Sequence, residues 1–279
     1  MKRNVVFFVF LLTLTPTLAW GQVIFDMHFN ALSEGGVNCG GYSGFPSPEI
    51  VSVSGSPDPS NVLKINFPEG YGGGYNTAWC SGPKYNSDET YVQLYVFFPT
   101  GYQFHTVANK LAYTYLALVD GVDPGNLFMG VFGSDRQVVI QTQPVSESKA
   151  NGAVNKVYYN NKKYIRIDTN SWYKINYYVK LNTSGVRNGI IRIWVNDTLV
   201  SEYTDMNMRG GTLGASNFYK TSLMPIWGGL YQTKSGADFF YMDRWIVNAI
   251  PVGGSGGGIP SDSLFVKKEP NPPIKLIIE

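Results

Sequence analysis

The sequence predicts an all-β fold, a β-sandwich of two antiparallel sheets. Three observations carry that reading: apolar and polar residues alternate with period two in nearly every regular run, the runs are short and bounded by Gly, Pro, Asn or Ser, and none has the period of an amphipathic helix. Strands are expected at 23–29, 50–53, 62–67, 91–98, 110–118, 127–132, 137–143, 162–167, 172–181, 190–196, 224–231 and 239–247. The 279 residues suffice for one large β domain. Runs 30–61 and 253–260 are loop-like, the latter a Gly-rich linker, and no internal repeat is visible.

Ahead of the first strand, residues 1–21 read as a secretory signal peptide. Lys2 and Arg3 precede an apolar run, and Ala19-Trp20-Gly21 places small residues at the cleavage positions. The domain is therefore expected over 22–252 of an exported chain, secreted or periplasmic, with a tail at 261–279. No other stretch is long and apolar enough to span a bilayer. In an exported chain the only two cysteines, Cys39 and Cys80, most simply form one disulfide.

A net charge of +2 with 15% charged residues gives no electrostatic footprint for nucleic acid. His28 and His105 are the only histidines and lack zinc spacing. There is no G-x-S-x-G elbow for a serine hydrolase and no run of paired carboxylates for a glycoside hydrolase.

Alternation sorts side chains by face. Val92, Leu94, Val96 and Phe98 oppose Tyr91, Gln93, Tyr95 and Phe97. Val138 and Ile140 oppose Gln137, Gln141 and Gln143. Ile165 and Ile167 oppose Tyr164 and Arg166, and Ile191, Ile193 and Val195 oppose Arg192, Trp194 and Asn196. If these strands share one sheet, Tyr95, Tyr115, Gln141, Gln143, Tyr164, Arg192 and Trp194 line a sugar-binding groove, with aromatic rings stacking on sugar faces and planar amide and guanidinium groups bonding hydroxyls or carboxylates.

Several motifs fall in a recognisable order. Phe98-Pro99-Thr100-Gly101-Tyr102 is followed by Lys110-Leu111. Then come Trp172, Leu181-Asn182-Thr183, Gly185, Asn188-Gly189, Trp194-Val195-Asn196-Asp197 and Arg209. Ile226-Trp227-Gly228-Gly229 and Phe240-Tyr241-Met242-Asp243 close the series. Over residues 23–252 this order resembles the concanavalin A-like jelly-roll polysaccharide lyases, the alginate and glucuronan lyases among them. The resemblance implies β-elimination on a uronate-bearing polysaccharide; the protein is expected to be a monomer and to require no cofactor. Such a reaction needs a cation or amide at the carboxylate, a base for the C5 proton and an acid for the leaving oxygen.

The same resemblance places Lys110 in the groove. The Arg and two Tyr that these lyases often carry on the next strands are absent from Phe128-Met129-Gly130 and Gln141-Thr142-Gln143. Substitutes are Arg166, Tyr164, Tyr231, and Tyr113 and Tyr115, the last two on the face opposite Lys110 in ideal alternation. His105, before Lys110, is a base by its near-neutral pKa. A structural Ca²⁺ at Asp26 and Asp243, on the paired terminal strands, is also implied. Two other readings remain beside the lyase: a non-catalytic carbohydrate-binding domain, and a structural surface protein.

Overall fold

A computed structural model of the chain describes residues 22–59, 61–117, 125–143, 156–183, 186–209, 217–229 and 232–251. The expected signal peptide, the expected Gly-rich linker and tail, and Tyr231 lie outside the described residues. In chain order the strands are β1 (Gln22–Met27), β2 (Ser33–Glu34), β3 (Val37–Gly41), β4 (Glu49–Val51), β5 (Val62–Phe67), β6 (Ala78–Ser81), β7 (Ser87–Phe97), β8 (Ala108–Leu116), β9 (Asn126–Phe132), β10 (Gln137–Gln143), β11 (Lys156–Tyr158), β12 (Trp172–Lys180), β13 (Gly189–Val195), β14 (Thr198–Met206), β15 (Phe218–Trp227) and β16 (Asp238–Pro251).

All pairings are antiparallel, and the hydrogen-bonded path runs through every strand. It narrows to a single pair, Phe218 of β15 opposite Ser87 of β7. On one side of that pair lies the first sheet, in the order β2-β3-β6-β15-β8-β9-β10-β11. On the other lies the second, β4-β5-β16-β7-β12-β13-β14, with β1 beside β5 along β16. The sandwich predicted by alternation is the architecture found.

Aliphatic faces meet between the sheets. Leu111, Leu116, Met129, Val131, Val138 and Ile140 of the first sheet share one cluster with Val92, Leu94, Val96, Ile175, Ile191 and Ile193 of the second. Fully burying each such side chain contributes about 1.5–3 kcal/mol. Polar bridges also cross the core: Thr114 Oγ1 on β8 lies 2.7 Å from the Tyr177 hydroxyl on β12, and Tyr85 Oη 2.8 Å from Thr221 Oγ1. The β13–β14 hairpin turns at Asn196 and Asp197, both at positive φ (48° and 61°), the left-handed pair that a tight two-residue hairpin requires. Cys39 and Cys80, directly opposite each other on β3 and β6, form the expected disulfide.

Residues 162–167 form no strand; Arg166 makes only an isolated bridge with Gln137. Strands β2, β3, β6, β11 and β14 were not expected, and β15 begins at Phe218 rather than at 224. Of these, β2, β3, β6 and β11 contain too few residues to display a period, and paired neighbours hold them instead.

Candidate functional site on the outer face of the first sheet

The proposed groove residues do not share a sheet. Tyr95, Arg192 and Trp194 lie on β7 and β13 of the second sheet, whereas Tyr115, Gln141 and Gln143 lie on β8 and β10 of the first. Pairing order separates them, and alternation along one strand carries no information about it.

On the second sheet the outward residues are already engaged. Arg192 Nε bonds Glu202 Oε1 at 2.8 Å, and Trp194 packs 6.3 Å from the Tyr91 ring. Tyr95 sits opposite Lys174 and Asp243, its phenol pushed up by burial. Each cation on the strands of this sheet has a carboxylate partner. Lys64 pairs with Glu49, Lys174 with Asp197, Lys180 with Glu89, Arg192 with Glu202 and Arg244 with Asp26.

On the first sheet only the two-residue edge strand β2 carries an acid, Glu34; β3, β6, β8, β9, β10, β11 and β15 carry no Asp or Glu. Their cations are Lys110, Lys156 and Lys220, and among the described residues none forms an ion pair. Lys156 sits on the edge strand; Lys110 and Lys220 sit on the two central strands.

A β-bulge places Lys110. The β8–β9 register shifts between Lys110 and Ala112, so Leu111 and Ala112 both face the core. Ideal alternation put Tyr113 and Tyr115 on the face opposite Lys110, and the extra residue reverses that relation. Lys110 Nζ lies 4.4 Å from the Phe128 ring centre, Tyr113 stacks on the same ring at 5.2 Å, and Tyr115 stacks on Tyr113 at 6.0 Å. Gly130, opposite Lys110, makes room for the bulge: a Cβ there would stand 2.5 Å from the Asn109 carbonyl oxygen. Burial lowers the Lys110 pKa and raises that of the Tyr113 phenol. Gln141 is opposite Phe128 in the β9–β10 ladder, so its amide shares this face. Around them, Ala108, Phe128, Phe132, Val139 and Ile226 form an apolar floor distinct from the core.

His105 is 1% exposed. Its Nδ1 faces the Val107 amide at 3.0 Å, its Nε2 faces the Gly229 amide at 3.3 Å, and its ring packs edge-on against Trp227. Burial lowers its pKa. These contacts tie the loop before β8 to the end of β15, with the ring buried between them. Arg166 and Tyr164 occupy the exposed margin beyond β10. Arg166 Nε bonds Asp168 at 3.1 Å, and the Tyr164 hydroxyl donates to the Asp135 carbonyl at 3.1 Å.

Of the two residues named for Ca²⁺, Asp26 is engaged by Arg244, while Asp243 keeps one oxygen, Oδ1, without a hydrogen-bond partner among the described residues. Arg244 occupies both Asp26 oxygens, at 3.2 and 3.0 Å, and Asp243 Oδ2 accepts the Asp58 amide at 2.9 Å. Among the described residues no three His, Cys, Asp or Glu side chains gather into a metal-holding group.

Sequence reasoning missed a cleft beside the disulfide. Tyr42, Trp79, Ser81, Tyr115, Tyr219, Lys220, Ser222 and Met224 line a space of about 370 Å³. Trp79 and Ser81 flank Cys80 on β6, a strand too short to read. The signal available was the aromatic beside a cysteine that pairs across strands.

No family model matches the chain, and no curated protein matches it. Solved structures do share its fold. An alginate lyase from a Chlorella virus superposes with a TM-score of 0.63 at 15% identity, over 82% of this chain and 100% of that one. The alginate lyase Aly36B, in complex with alginate trisaccharide, superposes with a TM-score of 0.57 at 16% identity, over 81% and 98%. An endo-β-1,4-glucuronan lyase from the fungus Trichoderma reesei gives 0.52 at 13% identity, over 77% and 94%. The fold is thus the jelly roll that polysaccharide lyases use, as the motif order implied.

Proposed function

We propose that this protein engages an acidic, uronate-bearing polysaccharide on the outer face of its first sheet and cleaves it by β-elimination. One observation carries the reading: Lys110, with no ion pair among the described residues, shares the Phe128 ring with Tyr113 on strands β8, β9 and β10, which carry no Asp or Glu. Lys110 Nζ takes the C5 proton as a neutral amine, the form that burial favours by lowering its pKa. The Gln141 amide hydrogen-bonds the carboxylate and stabilises the charge that develops there. The C4–O bond breaks, Tyr113 Oη gives its proton to the departing oxygen, and a C4=C5 double bond remains in the uronate. A phenol kept protonated by burial suits the acid's role. Export is part of the proposal; the apolar leader and the disulfide support it.

The test is to incubate the protein with alginate, glucuronan and pectate and to follow the absorbance of the unsaturated uronate. A rise that Lys110→Gln abolishes is the expected result; no rise on any uronate polymer overturns the reaction. The rate should climb with pH at values below those that titrate an ordinary lysine. A second reading, glycan binding without turnover, is favoured by the apolar floor of Phe128, Val139 and Ile226, where a cation for the carboxylate would be expected. Binding without absorbance change would establish it.

A further inference from the structure

The cleft beside the disulfide shares Tyr115 with the Lys110 site but has its own cation. Lys220, opposite Tyr115 in the β8–β15 ladder, holds its Nζ 6.0 Å from the Tyr115 ring centre. Burial, and to a smaller extent repulsion from Lys84, lower its proton affinity. Aromatic rings surround Lys220: Tyr219 lies 6.2 Å from Tyr115, and Trp79 and Tyr42 come from β6 and the residue after β3. The Ser222 hydroxyl lines the cleft, is 3% exposed and has no hydrogen-bond partner among the described residues. Buried hydroxyls are ordinarily satisfied, and an unsatisfied one in a cleft wall points to a bound group.

Spacing then constrains the ligand. Lys110 pairs with Ile226 and Tyr115 with Lys220. Their Cα atoms are therefore separated by the run from Lys110 to Tyr115, at most about 16 Å at about 3.3 Å per residue, and the stacked rings of Phe128, Tyr113 and Tyr115 stand between the two Nζ groups. Lys220 therefore does not reach the carboxylate that Gln141 holds beside Lys110, and the surface between them is aromatic. We propose that the Tyr42–Trp79–Lys220 cleft is a second sugar subsite that binds a carboxylate on a different residue of the same chain. The ligand is then a polymer with repeated negative charge, as opposed to a neutral glycan with one acidic end. This inference rests on the proposed use of the Lys110 face and extends it to a site with an independent cation.

Binding of polymannuronate, polyglucuronate, a sulfated glycan and a neutral glucan would be measured by titration calorimetry at two salt concentrations. The proteins would be wild type, Lys220→Gln, Lys220→Arg, Trp79→Ala and Lys110→Gln, each first checked for an unchanged thermal unfolding transition. Lys220→Gln should weaken polyuronate binding roughly tenfold, the worth of one charge-assisted hydrogen bond, and flatten its salt dependence. Lys220→Arg should retain binding, which a loss through misfolding would not. If Lys220→Gln and Trp79→Ala bind as wild type while Lys110→Gln does not, the cleft is no subsite and the Lys110 reading stands. If polyuronate binding is undetectable or indifferent to all the variants, both fall. If Lys220 governs only the sulfated glycan, the carboxylate assignment is wrong.

Discussion

The outer faces of the two sheets are built on opposite electrostatic plans. On the second sheet Lys64, Lys174, Lys180, Arg192 and Arg244 each meet a carboxylate, so that face is internally neutralised. On the first sheet Lys110 and Lys220 face outward from strands that carry no acid. Exposed ion pairs add little stability, typically below about 1 kcal/mol. Their importance here is that they leave the second face nothing to offer an anion. The unpaired lysines of the first face gain no such partner from the fold and remain available to a ligand.

The largest expected effect contrasts one lysine from each face. Lys110→Ala should lower the rate of unsaturated-uronate formation by about 10²-fold or more, the usual contribution of a general base, while Lys174→Ala leaves it within experimental error. Equal losses in initial-rate assays would erase the distinction between the faces.

Next in size is the disulfide, which tethers β3 to β6 and so the wall that carries Tyr42 and Trp79. The double change Cys39→Ser and Cys80→Ser should cost about 2–4 kcal/mol in denaturant unfolding and weaken polymer binding more than it slows chemistry at Lys110. Gly130→Ala comes third. Its Cβ meets the Asn109 carbonyl at 2.5 Å, so stability should fall by about 1–3 kcal/mol. Turnover should fall with it, because the bulge that turns Lys110 toward Tyr113 is displaced. A Gly130→Ala protein with normal melting and rate would show that the bulge is not what sets the site.

The smallest effect sharpens the comparison from the other side. Asp243 is a charge that the second sheet neutralises incompletely. Burial, its largest influence, pushes the carboxyl up to about 6 from 3.8, and its Oδ1 has no hydrogen-bond partner among the described residues. A raised carboxyl pKa means that the folded state binds the proton more readily than the unfolded chain. Stability should therefore fall as pH rises from about 4 to 6, with the full cost of burying the charge present above that window. Asp243→Asn should melt higher than wild type at pH 7–8, with the gap closing toward pH 4. A gap that widens toward acid would mean that the ionised form is the one the fold favours.

Period-two alternation in β5, β7, β9, β10, β12 and β13, with turn residues at their ends, was enough to specify strands and a two-layer sandwich. Each core face is legible locally, because successive side chains point to opposite sides. The absence of acids from the strands around Lys110 and Lys220 was also written in the sequence, although it gained meaning only once those strands became neighbours. The motif order added the jelly roll, and the compartment reading added the Cys39–Cys80 pair.

Tertiary structure decided the rest. Strand order sent Tyr95, Arg192 and Trp194 to one side of the molecule and Tyr115 and Gln141 to the other, since hydrogen-bond pairing between distant strands leaves no mark on either strand alone. A single inserted residue at Leu111–Ala112 reversed the parity of Lys110 relative to Tyr113, which no periodic rule anticipates. His105 became a buried tie between loops because Trp227 and the Gly229 amide arrive from more than a hundred residues away. The sequence by itself determined which strands exist and which way their apolar faces turn. Folding alone determined which polar residues meet, because that depends on pairing across the whole chain.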